Sequence, residues 1–147
     1  MGTMDLEIET SIVISASAKE VWEVLMDFEN YPMWNPFVQQ ISGVAEVGEK
    51  LRVQLPGMVF EPRVLCLDHM SAWSWLGKLW IKGLFDGEHY FRLVPDSEGR
   101  TVFVHGERFG GWLVPLLRRK LESETRGGFM AMNKSLKDRV ERMSAMS

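Results

Sequence analysis

His89, His105 and Glu107 are the side chains of this sequence whose types and spacing can do chemistry. They lie in two stretches of alternating character, His89 to Val94 and Thr101 to Phe109, that read as β-strands. Alternation puts His89, Phe91 and Leu93 on one face, with Tyr90 and Arg92 on the other. In the second stretch Thr101, Phe103, His105, Glu107 and Phe109 share a face. If Leu93 pairs with Thr101, His89 lies opposite His105; a shift of two residues sets it opposite Glu107. Either register gathers two imidazoles and a carboxyl on one surface, whereas a one-residue slip or bulge turns the set outward. Such a set can remove a proton beside a carbonyl and return one to a departing oxygen near neutral pH. It can equally serve as polar contacts to a ligand or as a self-satisfied buried cluster. No metal is expected, because one strand offers only His105 and Glu107 at i, i+2 and nothing else points to an ion. No cofactor is expected either: Gly106-Glu-Arg-Phe-Gly-Gly111 lacks the glycine spacing of a dinucleotide loop. Cys66, the only cysteine, excludes an internal disulfide framework and reads as a small buried hydrophobe.

The composition bounds the setting. At 147 residues, 46% hydrophobic and 25% charged, the chain has the length and content of one globular domain, not of a disordered or coiled-coil protein. One domain is expected over residues 1–147, with its core from about 6 to 143. A net charge of −3 argues against nucleic acid as a partner. Met1 to Glu9 lacks the cationic start and apolar run of a secretory signal. The longest apolar run, Trp112 to Leu117, is far below the roughly 20 residues of a membrane span. With one unpaired cysteine, a cytoplasmic protein with no stable membrane insertion is expected. Six Trp against two Tyr is the anomaly, since Trp brings a large rigid surface.

The elements that must position these side chains follow from period and punctuation. Leu6 to Ser15 turns from alternating to continuously β-branched, a strand. Ser17-Ala-Lys-Glu20 is a capping box, and Val21, Trp22, Val24, Leu25 and Phe28 recur at helical spacing up to about Asn30. Tyr31-Pro-Met-Trp-Asn-Pro-Phe37 is too broken for a strand and too apolar for a free loop, so a packed helical turn is expected. From 38 to 109 short strands alternate with turns, an antiparallel meander. One strand is expected over Met58 to Leu67, with Met58, Phe60, Pro62, Val64 and Cys66 inward. Leu113, Leu117, Leu121, Gly128, Met132, Leu136 and Val140 mark a long helix over about 112–144, with Pro115 in its first turn. Gly127-Gly128 in mid-helix signals a kink or a close approach. Only the sheet is large enough to cover such a rod, and a curved sheet around a helix encloses space.

Ser15-Ala-Ser-Ala-Lys-Glu-Val-Trp22, Tyr31-Pro-Met-Trp-Asn-Pro-Phe37, Gly87-Glu-His-Tyr-Phe-Arg-Leu93 and Gly99-Arg-Thr-Val-Phe-Val-His-Gly-Glu-Arg-Phe-Gly110, in this order of elements, resemble the START/SRPBCC superfamily. Within it the chain resembles the bacterial polyketide cyclase/dehydrase type, and the likeness spans about residues 6 to 143. It implies an α+β helix-grip (birch-pollen-allergen-like) fold, a curved antiparallel sheet around a long C-terminal helix. It also implies an apolar cavity for lipids, polyketides or other hydrophobic small molecules.

The resulting expectation is a binding or transport protein for a hydrophobic small molecule. The alternatives are a polyketide cyclase or dehydratase using His89, His105 and Glu107, and a quinone-binding chaperone or partner-activating module of the same fold. Candidate ligand contacts are Phe60, Val64, Trp73, Trp75, Phe91 and Phe103 from the strands. Trp112 is expected beside the entrance, and Gly128, Phe129 and Met132 on the long helix. Trp80, in an apolar segment flanked by lysines, suggests a lid or a touch on a membrane surface. Arg118-Arg119-Lys120 reads as a solvated face or a patch for an acidic group. A monomer or weak homodimer is expected.

Overall fold

A computed structural model of the chain describes residues 6–78 and 86–147; Trp80 and most of the segment around it lie outside the described residues. Strand β1, Leu6–Ile14, leads into helix α1, Ala18–Met26. The capping box is formed, with Ser17 Oγ accepting from the Glu20 amide at 3.2 Å and Glu20 Oε1 accepting from the Ser17 amide at 3.2 Å. A 3₁₀ turn, Phe28–Asn30, and a single helical turn α2, Tyr31–Trp34, follow. The buried Tyr31 hydroxyl donates to the Leu25 carbonyl at 2.7 Å. Asn35 Oδ1 then accepts from the amides of Phe37 (3.0 Å) and Val38 (2.9 Å), which fixes the path of the chain through Phe37.

The strands form two sheets. Strands β2 (Gln40–Ser42), β3 (Arg52–Leu55) and β4 (Met58–Phe60) make a small antiparallel sheet. Strands β5 (Arg63–Asp68), β6 (Ala72–Lys78), β7 (Asp86–Pro95) and β8 (Thr101–Gly110) join β1 in an open sheet of order β1-β8-β7-β6-β5. The single strand expected from Met58 to Leu67 is broken at Glu61-Pro62, because proline has no amide for the ladder. Backbone bonds from Leu51 N to Pro62 O (2.8 Å) and from Val64 N to Glu49 O (2.9 Å) carry the connection across the break.

Strand β5 also departs from the expected alternation. Val64 pairs with Trp75 and Cys66 with Ser74, so one extra residue is accommodated between them. Beyond this bulge the parity inverts. Leu67, opposite Trp73, packs on the core, while Cys66 is exposed rather than buried.

The long helix α3 runs from Val114 to Ala145 with Pro115 in its first turn. Phe129, Met132, Asn133, Leu136 and Val140 are its buried stripe over the second half, at steps of three and four. They close on β1, β8 and the inner face of the large sheet. Among the described residues no helix is long and apolar enough to cross a membrane.

Candidate ligand-binding site

The inward parity holds for all three polar side chains, in the second of the two possible registers. His89 faces Glu107, and Phe91 faces His105. His89 and His105 are buried, at 3% and 0% exposure, and the Glu107 side chain keeps 15%. The two imidazoles meet directly, Nε2 to Nε2 at 2.7 Å. His89 Nδ1 lies 3.3 Å from Glu107 Oε1. On the other side His105 Nδ1 lies 2.9 Å from Asn133 Oδ1 on α3. Asn133 Nδ2 donates to Thr10 Oγ1 on β1 at 2.8 Å, and Thr10 Oγ1 donates to the His105 carbonyl at 2.9 Å. All four imidazole nitrogens are therefore engaged, and four elements, β1, β7, β8 and α3, are tied through one chain of hydrogen bonds. Two nitrogens sharing a zinc at about 2.1 Å each stand roughly 3.4 Å apart, so the 2.7 Å contact is one of donor and acceptor. Among the described residues no group of three His, Cys, Asp or Glu side chains is arranged to hold a metal.

Aromatic rings enclose this chain. His89 stacks on Trp75 at 4.8 Å and His105 on Phe129 at 4.0 Å. Phe129 and Asn133 are one turn apart on α3, so one helical face covers the His105 ring and also meets its Nδ1. With water excluded, burial lowers the His89 imidazole to about 3 from an ordinary 6.5. Burial also pushes His105 well down, and its closeness to His89 adds to this. The same burial raises the Glu107 carboxyl to about 8. Burial favours the neutral form of each group, and the His89–Glu107 contact is a hydrogen bond that holds one proton between the two.

Beside this chain lies a cavity of about 720 Å³. Its walls are Leu55, Met58 and Phe60 from the small sheet, Trp75, His89, Glu107 and Phe109 from the large one, and Leu117, Leu121 and Gly128 from α3. Pro36 and Phe37 close one side, and the exposed Pro56, Lys120 and Glu124 stand at the rim. The cavity occupies only the end of the fold where the first half of α3 faces the small sheet.

Of the ligand contacts expected from sequence, Phe60, Trp75 and Gly128 line this space. Val64, Trp73, Phe91, Phe103 and Met132 lie instead in the solid core, all at 1% exposure or less. The stripe from Met132 to Val140 packs against the sheet there. Phe129 is buried behind the wall, against His105. Trp112, just before α3, is 86% exposed and does not line the cavity.

Gly128 owes its place to Phe37. A Cβ on Gly128 would stand 2.4 Å from the Phe37 ring, whereas one on Gly127 would meet nothing within 4 Å. Gly127→Ala is expected to raise unfolding free energy by about 0.5–1 kcal/mol, the helix-propensity gain. Gly128→Ala is expected to lower it by about 1–3 kcal/mol through overpacking, pushing Phe37 toward the cavity. Thermal melts of both variants check this; equal shifts for the two would refute the close packing of Phe37.

Sequence reasoning missed Thr10, Asn133 and Phe37. The first two did leave a signal. Thr10 stands in the inward parity of Leu6, Ile8, Ile12 and Ile14, and Asn133 interrupts an apolar helical stripe. Two polar residues on two buried faces are partners by default.

The fold has many solved relatives. A hypothetical protein from Helicobacter pylori matches with a TM-score of 0.81 at 13% identity, over 93% of this chain and 89% of that one. The ZhuI aromatase/cyclase of Streptomyces sp. R1128 matches with a TM-score of 0.76 at 18% identity, over 93% and 94%. A START superfamily protein from Mycobacterium smegmatis matches with a TM-score of 0.70 at 23% identity, over 93% and 98%. At these identities the likeness establishes the helix-grip fold. Among curated proteins none matches the sequence. The family described as polyketide cyclase / dehydrase and lipid transport matches residues 5–141. With nearly the whole length matched, and the open sheet and long helix of that fold in place, the chain belongs to the polyketide cyclase/dehydrase and lipid transport family.

Proposed function

We propose that this protein binds a hydrophobic small molecule in the cavity between its two sheets and the first half of α3. The observation that carries the reading is a space of about 720 Å³ walled by aliphatic and aromatic side chains, with the Glu107–His89 pair as its buried polar contact. That volume falls within the roughly 300–1,000 Å³ of small-molecule pockets, which are mostly apolar with a few placed polar groups. One protein of the same fold is an aromatase/cyclase, but the geometry here speaks against acid–base work by the imidazoles. Each imidazole nitrogen already holds a partner, so neither histidine offers a free nitrogen to a substrate.

Native mass spectrometry of the purified protein is expected to reveal a population heavier by one small molecule, lost on denaturation. Added naphthalene should quench tryptophan fluorescence through Trp75 on the cavity wall. Repeated isolation of empty protein that takes up no such probe would overturn the reading.

A further inference from the structure

We infer that the ligand of this cavity carries a hydroxyl donor on its apolar body, and that Thr10 and Asn133 are positioning residues that impose this choice. The inference rests on the binding reading above and narrows its ligand class.

The hydrogen-bond chain has one fixed end, the His105 carbonyl. A backbone carbonyl only accepts, so the Thr10 hydroxyl spends its single proton on the His105 carbonyl, 2.9 Å away. Thr10 Oγ1 must then accept, and it does so from Asn133 Nδ2 at 2.8 Å. That orientation turns the Asn133 carbonyl oxygen toward His105 Nδ1, which must carry a proton to fill the 2.9 Å contact. A neutral His105 therefore has a bare Nε2, and the 2.7 Å contact between the imidazoles is donated by His89 Nε2–H. A neutral His89 in turn has a bare Nδ1, 3.3 Å from Glu107 Oε1.

One proton therefore belongs to the last contact. It sits on Glu107 Oε1 as a carboxylic acid, or on His89 Nδ1 beside a carboxylate. In both states Glu107 Oε2 has no proton and can only accept. This oxygen lies over Gly87, where a Cβ would stand 2.2 Å from it, so the absence of a side chain there makes its room. Among the described residues, Lys120 and Glu124 are the other charged side chains of the cavity lining, both exposed at the rim. No protein donor reaches Oε2 among the described residues. A ligand O–H fills that position. An ether or ketone oxygen would set acceptor against acceptor, unless Glu107 gave up its bond to His89.

The test compares 2-naphthol with 2-methoxynaphthalene, the same skeleton without the donor, at about pH 6.5 by isothermal titration. Burial of apolar area alone favours the ether. The hydroxyl compound is nonetheless expected to bind about 3–10-fold more tightly, the range of one neutral hydrogen bond. Glu107→Leu should abolish the preference. Glu107→Gln should rescue it, because its NH₂ donates to His89 Nδ1 and its oxygen still accepts. Nitrogen-15 NMR of the unaltered protein is expected to find His105 protonated on Nδ1 and His89 on Nε2. Thr10→Val should scramble that pattern and weaken the preference, and Thr10→Ser should restore both. Equal affinity for the two compounds, or the opposite tautomers, would overturn the inference while leaving the binding reading intact. Failure of both compounds to bind would overturn both.

Discussion

Trp73→Ala is expected to remove about 3–5 kcal/mol of stability, the upper range for truncating a buried side chain. In a chain of this length that corresponds to a fall in melting temperature of roughly 10–15 °C. Trp73 is fully buried. It stacks on Phe28 at 5.5 Å and on Phe91 at 5.1 Å, and meets Trp75 edge-on at 5.1 Å. It therefore joins the turn after α1 to the middle of the large sheet. The partner variant sharpens the prediction. Trp73 Nε1 is buried without a hydrogen-bond partner, so the indole carries a desolvation cost that phenylalanine does not. Trp73→Phe should consequently cost less than about half of the alanine change. Calorimetric melts measure both. An alanine variant within about 3 °C of the unaltered protein would show that Trp73 is not the filler described here.

Stability should peak near pH 6.5, limited on each side by a different member of the buried chain. Glu107 is raised to about 8 from an ordinary 4.5. The folded protein thus holds a proton that the unfolded chain releases, and this stabilisation is lost as pH rises from 4.5 through 8. His89, lowered to about 3 from 6.5, and His105, lowered in the same direction, act oppositely. Each favours the folded state above 6.5 and penalises it as pH falls below that value. Below 6.5 the two histidines outweigh the carboxyl; above it only the carboxyl titrates, until it levels off beyond about 8. From pH 6.5 to 8 the loss amounts to roughly 2 kcal/mol, at 1.36 kcal/mol per unit. Urea unfolding at about pH 5, 6.5 and 8.5 measures the profile, and Glu107→Gln should flatten its alkaline limb. A level profile between 6.5 and 8.5 would mean that Glu107 is ionised at neutral pH.

The parts of this site fixed by local period were legible in the sequence. The inward faces of His89, His105 and Glu107 followed from alternation, and the long helix followed from its three-to-four spacing. The register between β7 and β8 was not legible, because a shift of two residues preserves every face. Nor was the bulge in β5, since an extra residue has no compositional mark in Val64-Leu-Cys-Leu67. The cavity was placed too deep for a related reason. Phe91, Phe103 and Met132 face inward like Trp75, but only the distance between α3 and the sheet decides which inward residues meet a void. That distance is set by Phe37 against Gly128 and by the small sheet, contacts between segments far apart in the chain.

The outward turn of Cys66 gives this protein a native labelling handle. It is the chain's single thiol, and it sits on the outer face of the sheet, paired with Ser74 next to Trp75. A maleimide dye attached there would be one strand away from the indole on the cavity wall, with the sheet between the two. Energy transfer from the tryptophans to such a dye, Trp75 on the cavity wall among them, would report occupancy from outside, without an engineered cysteine and without a probe inside the pocket.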